Sequence, residues 1–151
     1  MAAYTNAYVY ARQFVLARAP ETTFFDNAHL EVRVYPNGVL RGGPSGGVTV
    51  ATAIMSLAMN IITPANLAMS GLLNDQGDML SIGGLIQKML AAKDAGKTMI
   101  VIPEGNRGQF AMKISWQSPL LGPASFTFTG AELHRVRAHT REERQTAYNY
   151  E

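Results

Sequence analysis

A serine among glycines and a lysine in an apolar helical pattern are the side chains of this sequence best suited to chemistry. Ser45 lies in RGGPSGG, residues 41–47, directly before the apolar run VTVATAIMSLAMN. Glycines allow close approach of a substrate, and free N–H groups at the positive end of a helix can stabilise an oxyanion. The pattern is equally typical of a helix N-cap, where serine is a favoured residue.

A nucleophilic serine needs a base, and no histidine stands at a suitable place in the pattern. Lys88, in GGLIQKMLAA, has Leu85, Met89 and Ala92 around it at helical spacing. A buried lysine can lose its proton, because desolvation lowers its pKa by up to ~3–5 units. The alternative is that Lys88 extends along the edge of the helix to water. The residue types alone leave both alternatives open.

Other candidate sites fit poorly. The sequence has no cysteine, which excludes disulfides, thiolate catalysis and cysteine-based zinc sites. Its three histidines have no metal-ligand spacing, so we expect no metal. The segment DAGKT, residues 94–98, resembles half of a P-loop, but Ala91 stands where the first glycine is needed. We therefore expect no ATP binding and no cofactor.

The composition is that of a folded domain. Apolar residues make up 47% of the 151 residues and charged residues 16%, and no apolar run has the length of a membrane span. The net charge is only +2, and Glu142 and Glu143 dilute the basic cluster at 135–144, so nucleic-acid binding has little support.

Helical and strand patterns alternate along the chain, which predicts an α+β (mixed α/β) fold in one domain over 1–151. The predicted helices are 4–19, with Tyr8, Ala11, Val15 and Arg18 at helical spacing, then 48–60, 83–96 and a polar one at 132–147. The predicted strands are 29–35, 67–73, 78–82, 98–103, 110–116 and 124–129.

Taken together, the serine and lysine segments resemble the proteolytic domain of Lon proteases. That family has a serine in Gly-Pro-Ser-Ala-Gly and a lysine that ends Gly-Gly-Leu-Lys-Glu-Lys. This chain has GGPSGG and IGGLIQKMLAA, and its serine and lysine are 43 residues apart, as in the family. Similar stretches are AYVYARQFVLARAP, FFDNAHLEVRVYPNG, LAMSGLLNDQGDMLSIGG and KTMIVIPEGN. The resemblance covers about 4–106, and 107–151 diverges.

The resemblance implies a ribosomal protein S5 domain 2-like fold and a Ser–Lys endopeptidase that hydrolyses peptide bonds in unfolded proteins. Ser45 would be the nucleophile and Lys88 its base. Ser70 stands where the family has a threonine that supports the lysine amine. The resemblance also implies a homo-oligomer, a hexamer in the family, and Gly43, Pro44 and Gly46 would shape the serine loop.

Departures from the family leave two functions open. Gly46 replaces the family's alanine, Leu72 and Gln76 replace its glutamate and arginine, and we expect no ATPase module on this chain. The first function is a peptidase that works with a separate ATPase or unfoldase, or on unfolded peptides. The second is a catalytically degenerate domain that serves as a structural or assembly subunit of a larger complex. The absence of cysteine fits a reducing compartment, either the cytoplasm or the mitochondrial matrix.

Overall fold

The fold combines helices with a small parallel sheet and a short hairpin. The computed structural model describes residues 2–32, 43–109 and 125–129. In chain order the helices are α1 (Ala2–Leu16), α2 (Phe24–Asn27), α3 (Gly47–Ala58) and α4 (Leu85–Asp94), and the strands are β1 (Leu67–Met69), β2 (Leu72–Leu73), β3 (Met79–Leu80), β4 (Met99–Pro103) and β5 (Ser125–Thr129). Within these ranges, none of the helices is both long and apolar enough to cross a membrane.

Helices α1 and α3 pack against each other and form most of the larger core. Side chains at i, i+3, i+4, i+7 and i+8 of α1 are buried: Ala7, Tyr10, Ala11, Phe14 and Val15. The predicted helix is confirmed, but the predicted face is only half right. Tyr8 is 37% exposed, and Arg18 follows the end of α1 with its guanidinium over the Phe14 ring.

The parallel sheet has the order β1-β4-β5. Leu67 pairs with Met99, and Met99 pairs with Ser125. Helix α4 lies between β1 and β4 in the chain, as a connection between parallel neighbours requires. A second core joins α4 to this sheet through Ile82, Leu85, Met89, Ile100 and Ile102. Burial of each large side chain stabilises the fold by about 1.5–3 kcal/mol.

The predicted strand over 67–73 is interrupted. Ser70 and Gly71 separate β1 from β2, and β2 pairs instead with β3 in an antiparallel hairpin. At the interruption, the Gly71 N–H donates to the Ser45 carbonyl, 2.8 Å away, and not to a neighbouring strand.

Helix α4 has glycines directly before and shortly after it, as the sequence predicts. Gly84 precedes it in the left-handed region, at φ +65°. At its other end Gly96 has φ +68°, its N–H donates to the Lys93 carbonyl, and the Lys97 N–H donates to the Ala92 carbonyl. This pair of hydrogen bonds is a Schellman motif. The segment DAGKT is therefore the end of a helix that leads into β4.

The strand predicted over 29–35 is wrong for residues 29–32, which follow α2 as irregular chain. The alternating pattern there reflects one inward side chain, Leu30, which packs on the larger core, whereas Val32 is 45% exposed. The predicted strand over 124–129 is confirmed as β5. The predictions for 33–35, 110–116 and 132–147 lie outside the described residues.

Candidate active site

Ser45 lies in a tight turn that runs directly into helix α3. Gly43 is extended, at φ −76° and ψ 179°, and Pro44 then begins a single 3-10 turn over Pro44–Gly46. Proline suits this position, because its φ is fixed near the helical value and the first turn needs no N–H from it. The turn places the half-buried Ser45 side chain at the N-terminal end of α3.

The backbone of Ser45 is held by the interruption between β1 and β2. Its carbonyl oxygen accepts hydrogen bonds from the Gly71 N–H at 2.8 Å and from the Ser70 hydroxyl at 3.2 Å. The Gly71 carbonyl in turn accepts from the Val48 N–H at 3.2 Å, and the Ser70 N–H donates to the Val101 carbonyl at 3.0 Å. These bonds tie the serine turn to the parallel sheet.

Lys88 reaches Ser45 from helix α4. Its Nζ donates a hydrogen bond to Ser45 Oγ at 2.9 Å, across 43 residues of sequence. The lysine is half-buried, and its helix neighbours Leu85 and Met89 are each 1% exposed. Burial lowers the pKa of the Lys88 amine. The sequence left open whether the Lys88 amine extends to water or lies at the serine. In the structure it forms a hydrogen bond with the serine hydroxyl.

The predicted supporting residues surround the serine in different ways. The Ser70 hydroxyl donates to the Ser45 carbonyl, so its direct support of the Lys88 amine stays a prediction. Gly43 and Gly46 both have negative φ, which any residue adopts. A Cβ on Gly43 would meet open space, and one on Gly46 would lie 3.6 Å from the Tyr4 hydroxyl, an ordinary contact. The backbone itself therefore does not require glycine beside the serine.

Gly71 is a residue of the site that sequence reasoning missed. A Cβ there would lie 2.6 Å from Met79 Sδ and 3.2 Å from Val48 Cγ1. A side chain at this position would therefore require Met79 and Val48 to shift, and glycine lets the interruption between β1 and β2 approach α3 without that shift. The signal was present in the sequence, because a glycine inside a strand pattern indicates a bulge or a close backbone approach.

The chemistry available to this arrangement is that of a hydroxyl and a partly desolvated amine in hydrogen-bond contact. An amine that spends time uncharged can accept the serine proton, and the oxygen then becomes a nucleophile. The described part of the chain contains no group of three or more histidine, aspartate or glutamate side chains that could hold a metal ion.

Comparisons with known proteins identify the family of the chain. The model of the Lon protease (S16) C-terminal proteolytic domain matches residues 2–115. The chain is 37% identical to the mitochondrial Lon protease homologue of Homo sapiens over 136 residues, which is 90% of this chain and 13% of the relative. The homologue of Mus musculus is 36% identical over 130 residues, 86% of this chain and 13% of the relative. The homologue of Neurospora crassa is 41% identical over 100 residues, 66% and 9% respectively.

The match to the family model covers most of the chain, including both side chains that meet at the site. The chain spans about 13% of the length of the mammalian relatives, and the matched region of the family is its proteolytic domain. This chain belongs to the family of Lon protease (S16) C-terminal proteolytic domains.

Proposed function

We propose that this domain is a serine endopeptidase in which Ser45 is the nucleophile and Lys88 the general base. The observation that carries the proposal is the 2.9 Å contact between Lys88 Nζ and Ser45 Oγ, formed between two different elements of the fold. A catalytic base must lie within about 2.6–3.2 Å of the proton-bearing atom, and this pair meets that requirement.

The protonation state of Lys88 decides whether the pair can react. A charged ammonium can only donate to Ser45 Oγ, whereas a neutral amine can accept the hydroxyl proton. Burial is the cause of the lowered Lys88 pKa, and it acts by making the charged form less favourable. Each unit of lowering raises the neutral fraction about tenfold at a pH below the pKa.

The reaction then follows in balanced steps. Ser45 Oγ bonds to the carbonyl carbon of the scissile peptide, and its proton passes to Lys88 Nζ. When the C–N bond breaks, Lys88 returns the proton to the leaving amine, and an ester on Ser45 remains. Water attacks the ester carbonyl and gives one proton to Lys88; that proton returns to Ser45 Oγ as the new carboxyl product leaves.

The negative charge that develops on the carbonyl oxygen needs hydrogen-bond donors. The backbone N–H of Ser45 is a candidate, because Ser45 lies in the turn that begins α3, and the first N–H groups of such a turn have no partner within it. The positive end of the α3 dipole favours an anion at the same place. Removal of one such donor typically costs ~10²–10³ in turnover.

The substrate is an unfolded polypeptide in this proposal. Folded proteins would first need unfolding by an ATPase module, on the same chain or on a partner. We also propose a homo-oligomer, with a hexamer as the expected state. The relatives named above are mitochondrial, which makes the mitochondrial matrix one of the two compartments that we propose, beside the cytoplasm.

Hydrolysis of an unfolded, fluorescently labelled polypeptide by the purified protein tests the proposal. We expect cleavage by the native chain and none by Ser45→Ala. Ser56→Ala is the matched control, because it makes the same change at the far end of α3, where the Ser56 hydroxyl bonds only locally to the Ile61 carbonyl. Cleavage that survives in Ser45→Ala contradicts the proposal, and a folded native protein without activity favours the structural-subunit alternative.

A further inference from the structure

A buried asparagine fixes the loop that leads into the lysine helix. Asn106 is 4% exposed and closes a 3-10 turn, Glu104–Asn106, that follows β4 directly. Its Oδ1 accepts from the Ile82 N–H at 3.0 Å, and its Nδ2 donates to the Ile82 carbonyl at 3.0 Å. The same Nδ2 also donates to Gln109 Oε1 at 3.1 Å. The side chain thus binds both polar groups of one backbone residue, as a paired strand would.

Ile82 lies two residues before the point where α4 begins. Gly84 holds the left-handed conformation that turns the chain into the helix, and its carbonyl accepts from the Lys88 N–H at 3.1 Å. The same 3-10 turn contacts this loop a second time, because a Cβ on Gly105 would overlap the Ser81 hydroxyl. The position of the first turn of α4, and with it Lys88, therefore depends on this contact.

The two halves of the active site share one strand as their reference. On the serine side, the Val101 carbonyl of β4 accepts from the Ser70 N–H, and Ser70 and Gly71 hold the Ser45 carbonyl. On the lysine side, Asn106 follows the end of β4 and holds Ile82. Strand β4 is therefore connected through Ser70 to Ser45 and through Asn106 to the loop before Lys88. A rigid strand with these two connections can set the distance between Ser45 Oγ and Lys88 Nζ.

We infer that Asn106 is a positioning residue for Lys88: its carboxamide fixes the loop before α4 and thereby keeps Lys88 Nζ within reach of Ser45 Oγ. The inference rests on the proposed function. Asn106 lies outside the reacting groups, so its effect passes through the backbone of Ile82 and Gly84. A loosened loop would lengthen the contact between amine and hydroxyl and would admit water to the amine.

The reaction of Ser45 with a peptidyl fluorophosphonate, followed across a pH series, tests this role in the full chain. Asn106→Asp keeps the size of the side chain and can still accept from the Ile82 N–H, but in its ionised form the carboxylate cannot donate to the Ile82 carbonyl. We expect about 10–100-fold slower labelling, since a misplacement near 1 Å costs about 10²-fold. We also expect the rate profile to shift to higher pH, because a better hydrated amine regains its ordinary pKa.

Asn66→Asp is the matched control, because it makes the same change at an exposed asparagine whose Nδ2 donates to Thr98 Oγ1 at 2.6 Å. It should react at the native rate with the native pH profile. Asn106→Ser removes the same pair of bonds without burying a charge, and it carries the test if the aspartate variant does not fold. Circular dichroism reports the folded state of each variant.

Slow labelling with a profile shifted to higher pH in a folded Asn106 variant supports the inference. A folded variant with the native rate, or with a slow rate and an unshifted profile, overturns it. Unfolding of both Asn106 variants at room temperature also overturns it, because the asparagine would then serve the stability of the whole domain. If the native chain shows no labelling that depends on Ser45, the proposed function fails first, and this inference fails with it.

Discussion

Replacing Lys88 by methionine and by arginine separates the two effects that its amine could have on Ser45. Methionine has a similar length, but it has neither a positive charge nor a proton to exchange with the serine. Arginine keeps the positive charge and the donors, but it does not lose its proton in proteins. If Lys88 acts as a base, both variants lose the reaction. If Lys88 acts only as a positive charge, the arginine variant retains it.

The size of the loss follows from the geometry. Lys88 Nζ is 2.9 Å from Ser45 Oγ, and burial lowers its pKa, so it meets both requirements of a general base. A positioned base contributes ~10²–10⁴ in rate, which corresponds to about 3–5 kcal/mol of the barrier at about 1.4 kcal/mol per tenfold. The free energy of unfolding should change by less than about 1 kcal/mol, because the side chain is only half-buried.

The assay is kcat/KM for a fluorogenic peptide, measured beside the free energy of unfolding in urea. Lys93→Met is the matched control, because it makes the same change on an exposed residue in the last turn of the same helix. It should have native kcat/KM. Activity of Lys88→Arg within tenfold of the native value would refute the role of a base, even if Lys88→Met were inactive.

Three further perturbations test the surroundings of the pair. Because burial lowers the Lys88 pKa, the unfolded chain binds more protons than the folded chain between the lowered pKa and the ordinary value of 10.5. The free energy of unfolding should therefore rise with pH in that window, and it should not show this rise in Lys88→Met. Urea unfolding of both chains across the window measures the difference. Gly71→Ala should lower the free energy of unfolding by ~1–3 kcal/mol, because the new methyl group would overpack against Met79 and Val48. Gly43→Ala should change it by no more than about 0.5 kcal/mol, because a Cβ there meets no neighbour. Urea unfolding measures both variants, and equal losses would contradict the close packing at Gly71. Ser70→Ala removes a hydrogen bond to the Ser45 carbonyl worth ~0.5–1.5 kcal/mol and should lower the rate of Ser45 labelling. Ser70→Thr keeps the hydroxyl and should preserve that rate. Equal rates in the two variants would show that the Ser70 hydroxyl does not support Ser45.

Local patterns predicted helix α3, which follows Ser45, and helix α4, which contains Lys88. The apolar run after Ser45 and the glycines around 83–96 correctly indicated α3 and α4, because both signals are local consequences of burial and backbone freedom. The pairing of Ser45 with Lys88 came from the family resemblance. A separation of 43 residues does not itself bring two side chains together. The fold does so by packing α4 on the sheet to which the serine turn is also bound.

The long-range hydrogen bonds that position Ser45 and Lys88 could not be predicted from local sequence patterns. LAMSGLL has the pattern of one strand, yet the strand is interrupted at Ser70 and Gly71. The Ser70 hydroxyl and the Gly71 N–H donate instead to the carbonyl of Ser45, which lies 25 and 26 positions away in sequence. In the same way, the sequence around Asn106 does not indicate a buried side chain, because a single polar residue after a strand is usually exposed. Its partner, Ile82, is known only once the chain has folded.

The most direct test of the central claim is peptide-level mass spectrometry of the folded native chain after reaction with a peptidyl fluorophosphonate near neutral pH. We expect a single covalent adduct on Ser45, which is absent from Ser45→Ala and forms much more slowly in Lys88→Arg. No adduct on Ser45 in the folded chain, or labelling of Lys88→Arg at the native rate, would contradict the claim that a neutral Lys88 amine activates the Ser45 hydroxyl.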